Sequence, residues 1–224
     1  MRDTVIIFDV NETLLDMEPV KQSVNRSMDS KRGFKVWFNM LLHYSLVENC
    51  TGQFHPFSEL AEATLDMAAT SLGVHLKMTD KQGILKSMKT LEAHSDVKKA
   101  LTILKDDGFR LGALTNSSAD TLAAQLEYAG IKDYFEATLS VDAVRKYKPS
   151  GECYAYAAHK FSVQPDKILM IAAHGWDIAG ASRAGLNTCF IEREGQALYP
   201  LSAKPSFSGK KLTDVTSDIR EKLS

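Results

Sequence analysis

The feature that most constrains this chain is a five-residue apolar run that ends directly on a carboxylate. Residues 4–8 read TVIIF, and Asp9 follows. A β-branched and aromatic run this short, with no alternating polar face, suits a strand buried on both sides. That implies a parallel sheet covered by helices. Three further runs are of the same kind: RLGAL at 110–114, ILMIA at 168–172 and TCFI at 188–191. Helical patterns separate them. Residues 119–129 carry Leu122, Leu126 and Ala129 at helical spacing, and Gly130 is placed to end the helix. Residues 152–160 and 177–184 are also helix-like. Strands alternating with helices build βαβ units. The expected fold is α/β, with a doubly wound, Rossmann-like parallel sheet as its core.

Residues 18–94 interrupt that rhythm with helical patterns and no comparable strand. Trp37, Met40, Leu41, Tyr44 and Val47 are placed to share one helix face, and Leu60, Ala63, Thr64 and Met67 another. The segment reads as an inserted helical cap, with residues 1–17 and 95–224 forming the catalytic core. The tail after Gly195 is polar and mixed and offers little on which to place a site.

A length of 224 residues suits one α/β domain with an insertion. A formal net charge of −1 gives no reason to expect a nucleic-acid surface. Cys50, Cys153 and Cys189 are scattered and odd in number, as expected of reduced thiols in a cytoplasmic protein. No leader pattern and no membrane-spanning apolar run is read, so no membrane partner is expected.

In open α/β sheets, ligands bind beyond the carboxyl ends of the strands. Asp9 stands at such an end, before the polar turn Asn11-Glu12-Thr13. It would serve equally as a turn cap. Three other strand ends weigh against that. Thr115-Asn116-Ser117-Ser118 follows the second run and offers hydroxyls and amides to an anion, besides a helix N-cap. Lys148 precedes Pro149 in a loop, and the ILMIA run ends near His174-Gly175-Trp176-Asp177. A nucleophile, an anion-holding turn, a lysine and an acid are thus expected along one edge of one sheet.

This arrangement resembles the haloacid dehalogenase superfamily. FDVNETLLD matches its first motif, with Asp9 as nucleophile; LTNSS matches the second through Thr115 and Asn116; Lys148 in YKPS matches the third; AAHGWDIAGASRAG matches the fourth, with Asp177 as its acid. Most superfamily members are Mg²⁺-dependent phosphatases with a second aspartate two residues after the nucleophile. Here that residue is Asn11, and Ala173 stands where they place an aspartate as a metal ligand. Both features suit the metal-independent 2-haloacid dehalogenase branch, which also has the aromatic of Trp176-Asp177 and a tyrosine at Tyr154. The resemblance implies that Asp9 displaces halide from a short 2-haloalkanoic acid. Water would then cleave the Asp9 ester to release a 2-hydroxy acid, with no cofactor or metal. It gives Lys148 the task of keeping Asp9 ionised, and Thr13, Thr115 and Asn116 that of orienting Asp9 or holding the substrate. Dimerisation is common in that branch, and the apolar cap helices could support a homodimer.

Two departures stand out. The branch carries an arginine near the start of the cap to receive halide. Here the aligned residue is Phe38, and Arg32 is out of phase. Phe38, Trp37 and Trp176 would wall the halogen, although Trp37 suits cap packing as well. The branch also has asparagine and glycine where this chain has His174 and Glu12. The paired change suggests that Glu12 orients His174 as a general base for ester hydrolysis. The other histidines, His43, His55, His75, His94 and His159, have no comparable setting. A superfamily phosphatase of a small phosphorylated metabolite and a non-catalytic member are the alternatives.

Overall fold

The computed structural model describes residues 3–223. The core sheet is built from β1 (Val5–Phe8), β2 (Arg110–Thr115), β3 (Ala137–Ser140), β4 (Ile168–Ala172), β5 (Asn187–Ile191) and β6 (Phe207–Gly209). All pairings are parallel and the order is β3-β2-β1-β4-β5-β6. The α/β doubly wound sheet expected from the apolar runs is therefore present. Every residue of β1 and of β4 is buried, which is why these runs lack a polar face.

The core helices are α5 (Val97–Asp106), α6 (Ala119–Tyr128), α7 (Gly151–Phe161), α8 (Gly175–Arg183) and α9 (Leu212–Lys222). Right-handed crossovers put α5 and α6 on one face and α7 and α8 on the other. In keeping with this, α7 packs on α8, and α9 returns beside α5. β1 lies between β2 and β4, so chain order reverses at its end, where a doubly wound sheet opens a crevice. Asp9 follows β1 at that point.

Between β1 and α5 lie four helices, α1 (Glu18–Ser27), α2 (Gly33–Thr51), α3 (Phe57–Ser71) and α4 (Met78–Ser87). The chain leaves and re-enters the core through a narrow neck. There the Asp16 backbone N–H donates to the Glu92 carbonyl at 2.8 Å and the His94 backbone N–H to the Leu14 carbonyl at 2.9 Å. Helices α2 and α3 pack on each other around fully buried Trp37, whose Nε1 donates to the Ala61 carbonyl at 3.0 Å. The buried face of α3 runs through Leu60, Ala61, Thr64, Leu65 and Ala68. Ala63 and Met67, expected on that face, are exposed. Their place is taken by Ala61, Leu65 and Ala68, residues equally compatible with a helical stripe when the facing helix is unknown.

Two strands have no counterpart in the sequence reading. β3 and β6 are the sheet edges, and each is only partly buried, so neither shows a continuous apolar run. The tail after Gly195 is likewise structured, supplying β6 and α9.

Close approach fixes α8 against the loop that carries Lys148. A Cβ on Gly180 would lie 2.4 Å from the Pro149 Cβ, 2.7 Å from the Tyr154 hydroxyl and 2.9 Å from the Pro149 carbonyl. Gly180→Ala should therefore force α8 outward and destabilise the fold by about 1–3 kcal/mol. Urea unfolding followed by circular dichroism measures this, and an unchanged midpoint would contradict the packing described.

Candidate active site

The four strand ends that carry the predicted site converge. Asp9 extends β1, and its N–H donates to the Ile171 carbonyl of β4 at 2.9 Å. Its carboxylate meets three donors. Lys148 Nζ reaches Oδ1 at 2.8 Å; Thr13 Oγ1 donates to Oδ2 at 2.7 Å; His174 Nδ1 lies 3.1 Å from Oδ2. Thr13 is itself fixed by the Ala173 N–H, which donates to its hydroxyl at 2.9 Å.

Lys148 is 1% exposed, and all three of its ammonium donors are used. They go to Asp9 Oδ1, to Asp177 Oδ2 at 2.6 Å and to the Leu114 carbonyl at 3.1 Å. Asn116 Oδ1 accepts from the Lys148 backbone N–H at 2.9 Å, so the second motif anchors the third. The residue before Lys148 is held from the cap. Asn49 Oδ1 accepts from the Tyr147 N–H at 2.9 Å, and Asn49 Nδ2 donates to the Tyr147 carbonyl at 2.8 Å.

His174 stands at the start of α8 between two carboxylates. Its Nε2 is 2.7 Å from Glu12 Oε2, and its Nδ1 faces Asp9. Its ring stacks on that of Trp176, centroid 5.2 Å away, and lies 6.4 Å from that of Phe38. Glu12 holds this position with φ of 62°. A left-handed backbone costs a non-glycine residue on the order of 1 kcal/mol or more. Two further contacts hold the residue there. Gln196 Nε2 donates to Glu12 Oε2 at 3.2 Å, and His94 Nε2 meets the Glu12 carbonyl at 3.1 Å. Burial and the nearby Arg193 charge lower the His94 pKa, so it stays neutral and donates.

Electrostatics follow from this packing. Burial alone would raise the Asp9 pKa, but the Lys148 charge and the His174 contacts outweigh it and hold Asp9 well below the usual carboxylate range. Burial would lower the Lys148 pKa, yet the charges of Asp177 and Asp9 raise it, so the ammonium stays charged. Asp177 moves upward, first through burial, with Lys148 opposing and Asp9 adding. Burial works against a charged His174, but its bonds to Asp9 and Glu12 raise its pKa to about 10. At neutral pH it is an imidazolium.

Of the other predicted residues, Tyr154 is fully buried, and its hydroxyl donates to Asp177 Oδ1 at 2.6 Å. This bond braces the acid from the α7 side. Asn11 spends both ends of its amide elsewhere: Nδ2 donates to Ser117 Oγ at 3.2 Å, and Oδ1 accepts from Gln125 Nε2 at 2.9 Å. Thr115 Oγ1 accepts from the Ser117 N–H at 3.1 Å. Trp37 is cap core, packed edge-on against Phe34 and Phe38. Phe38 alone of the pair reaches the His174 ring.

Sequence reasoning missed Gln125, Gln196, Asn49 and Arg193. Arg193 donates to the Thr13 carbonyl at 2.9 Å and to Asp96 Oδ2 at 3.0 Å, which ties the loop after β5 to the nucleophile's turn. None of these residues belongs to a local motif. Gln196 lies in the polar tail after Gly195, which carries no motif. No helix among the described residues is long and apolar enough to cross a membrane.

The family model for haloacid dehalogenase-like hydrolases matches residues 4–185. The chain is 28% identical to an (S)-2-haloacid dehalogenase of Pseudomonas sp. (strain YL), over 94% of this chain and 91% of that protein. It is 30% identical to (S)-2-haloacid dehalogenase 1 of Pseudomonas sp. (strain CBS-3), over 84% of this chain and 83% of that one. A crystal structure of an L-2-haloacid dehalogenase superposes with a TM-score of 0.92 at 26% identity, covering 98% of this chain and all of the other.

The raised His174 pKa has a consequence for stability. A group whose pKa is raised on folding stabilises fully below its unfolded pKa, about 6.5, and loses that contribution as pH climbs through the folded value. Wild-type Tm should therefore fall between pH 6.5 and about 10 more steeply than the Tm of His174→Asn. Parallel slopes by differential scanning fluorimetry would show that His174 is not held as an imidazolium.

Proposed function

The chain belongs to the haloacid dehalogenase-like hydrolase family, and on that premise we propose that it hydrolyses short 2-haloalkanoic acids to 2-hydroxy acids through an Asp9 ester. The observation that carries this reading is the buried cluster in which Asp9 is held between Lys148 and His174. It is supported by the names of its relatives, which are haloacid dehalogenases at 28% and 30% identity.

Asp9, kept ionised, attacks the carbon bearing the halogen. The carbon–halogen bond breaks, halide departs with the bonding pair, and a C–O bond to Asp9 forms. The branch uses an arginine near the halide, where this chain has Phe38. The positive charge that arginine would bring is here the His174 imidazolium, flanked by the Phe38 and Trp176 rings. An imidazolium over an aromatic face is favourable in itself.

Ester formation also removes the negative charge of Asp9. His174 then loses one of the two carboxylates that keep it protonated, and its pKa drops. The Nδ1 proton leaves to solvent, while Glu12 keeps the proton on Nε2. Nδ1 now presents a lone pair beside the ester. It takes a proton from water as that water attacks the Asp9 carbonyl carbon. Collapse releases the 2-hydroxy acid and restores both the Asp9 carboxylate and the imidazolium. The net products are hydroxy acid, halide and one proton. The base is thus switched on by the ester it hydrolyses.

A Mg²⁺-dependent phosphatase finds less support. The amide of Asn11 is committed to Ser117 and Gln125, and Ala173 contributes no carboxylate. Among the described residues the acids at the centre are already engaged: Asp9 and Asp177 with Lys148, and Glu12 with His174. Magnesium needs a fuller set of oxygen ligands.

Halide release from monohaloacetates, with and without chelator, tests the reaction. Release insensitive to chelator is expected; chelator-sensitive release of phosphate from an aryl phosphate, with no halide, would overturn the reading. For the base, His174→Asn should release about one halide per enzyme and then stop, with alkylated Asp9 visible by mass spectrometry. Glu12→Gln should slow turnover by about 10²-fold, while the first halide release stays near wild type. Wild-type turnover in either variant would remove the dyad from the mechanism.

A further inference from the structure

The reacting groups are closed off: Asp9, Lys148, His174 and Asp177 are all buried. A charged substrate needs a way in, and three cavities border the loops that surround them. One, about 520 Å³ and lined by Pro149 and Trp176, has a single charged residue, Arg183, whose guanidinium already lies over the Tyr199 ring. The other two differ in charge.

The first, about 310 Å³, lies on the seam between cap helices α3 and α4 and core helix α6. Its walls are apolar, with Phe57 and Ala61 from α3 and Leu85 and Met88 from α4 and its end. No carboxylate lines it. Two exposed lysines, Lys86 and Lys89, stand among its lining residues, and neither has an ion-pair partner among the described residues. Its core side includes Ser117, which is 1% exposed. The Ser117 hydroxyl accepts from Asn11, two residues past Asp9, and its N–H bonds Thr115 at the end of β2. β2 is the strand paired directly with β1, so Ser117 follows the strand next to the nucleophile's.

The second cavity, about 560 Å³, borders Glu12. It is lined by five acids, Glu12, Asp16, Glu18, Glu192 and Glu194. Two of its four basic residues are already engaged, Lys21 with Glu18 and Arg193 with Asp96. An anion gains nothing by approaching there.

We propose that the Lys86/Lys89 cavity is an entrance site that binds the 2-haloalkanoate anion at the cap–core seam before it passes Ser117 to Asp9. The inference rests on the dehalogenase reading above and adds the route and the residues that select the ligand. The ligand's chemistry fits both halves of the site. A short haloalkanoate has one carboxylate, suited to two unpaired ammonium groups, and an apolar halogenated end, suited to Phe57, Ala61, Leu85 and Met88. The volume holds such a molecule with several waters at about 30 Å³ each. Charged rims of this kind raise association rates by about 10-fold or more and are weakened by salt.

The test is steady-state halide release from 2-bromopropionate across ionic strength. Lys86→Glu/Lys89→Glu should lower kcat/KM by about tenfold at low salt, hold kcat within about twofold, and abolish or reverse the salt dependence. Lys160→Glu/Lys167→Glu makes the same change in net charge on exposed residues at the opposite end of the sheet and should leave kcat/KM unchanged. Ser58→Trp, at an exposed position lining the cavity, should lower kcat/KM by obstruction alone, at every salt concentration. If the Lys86/Lys89 pair matches the Lys160/Lys167 control and Ser58→Trp matches wild type, the entrance is elsewhere and the inference fails while the dehalogenase reading stands. If wild type releases no halide from any monohaloalkanoate, both fail together.

Discussion

The buried ammonium of Lys148 is the interaction on which the rest of the site depends. Two carboxylates and a lysine withdrawn from water carry a large desolvation cost, which is offset only by good geometry and by satisfying the remaining donors. Here the lysine's three donors meet three acceptors, two carboxylate oxygens and one carbonyl. Its backbone is set by Asn116, and the residue before it by Asn49 of the cap. Tyr154 holds the far side of Asp177, and the close packing at Gly180 keeps α8 near the lysine loop. Core and cap therefore both contribute to one charge position, and the result is a carboxylate at Asp9 that stays ionised without exposure to water.

The second organising constraint is the placement of His174 between Asp9 and Glu12. One carboxylate is permanent, and the other is consumed by the proposed reaction. This gives the histidine two states separated by the chemistry itself: a cation while a halide must leave, and a base while an ester must be hydrolysed. The unfavourable backbone of Glu12 is informative here. Glycine would adopt φ of 62° freely, so a glutamate at that position carries a local cost. Gln196 and His94 hold it in place, from segments remote in sequence.

The parts of this structure that a sequence reveals are those with local signatures. The central strands were legible because they are buried on both faces. The edge strands β3 and β6 were not, because a half-exposed edge needs no continuous apolar run. Asp9, Lys148, His174 and Asp177 were legible because each stands at a strand end within a recognisable motif. The pairing of Glu12 with His174 was inferred from a coupled departure from that motif, and the two side chains are in contact. The supporting residues had no such mark. Gln125 reaches Asn11 across 114 positions and Gln196 reaches Glu12 across 184, and no local pattern encodes a hydrogen bond of that separation. For the same reason the bond from Tyr154 to Asp177 has no local signature.

The central claim is that Asp9 attacks carbon and is itself attacked by water. A single turnover in heavy-oxygen water, with enzyme in excess over 2-bromopropionate, tests this most directly. The first hydroxy acid formed should carry unlabelled oxygen taken from Asp9, and the label should appear in the Asp9 carboxylate. Label in the product of that first turnover, with none in Asp9, would contradict the account and assign the attack on carbon to water.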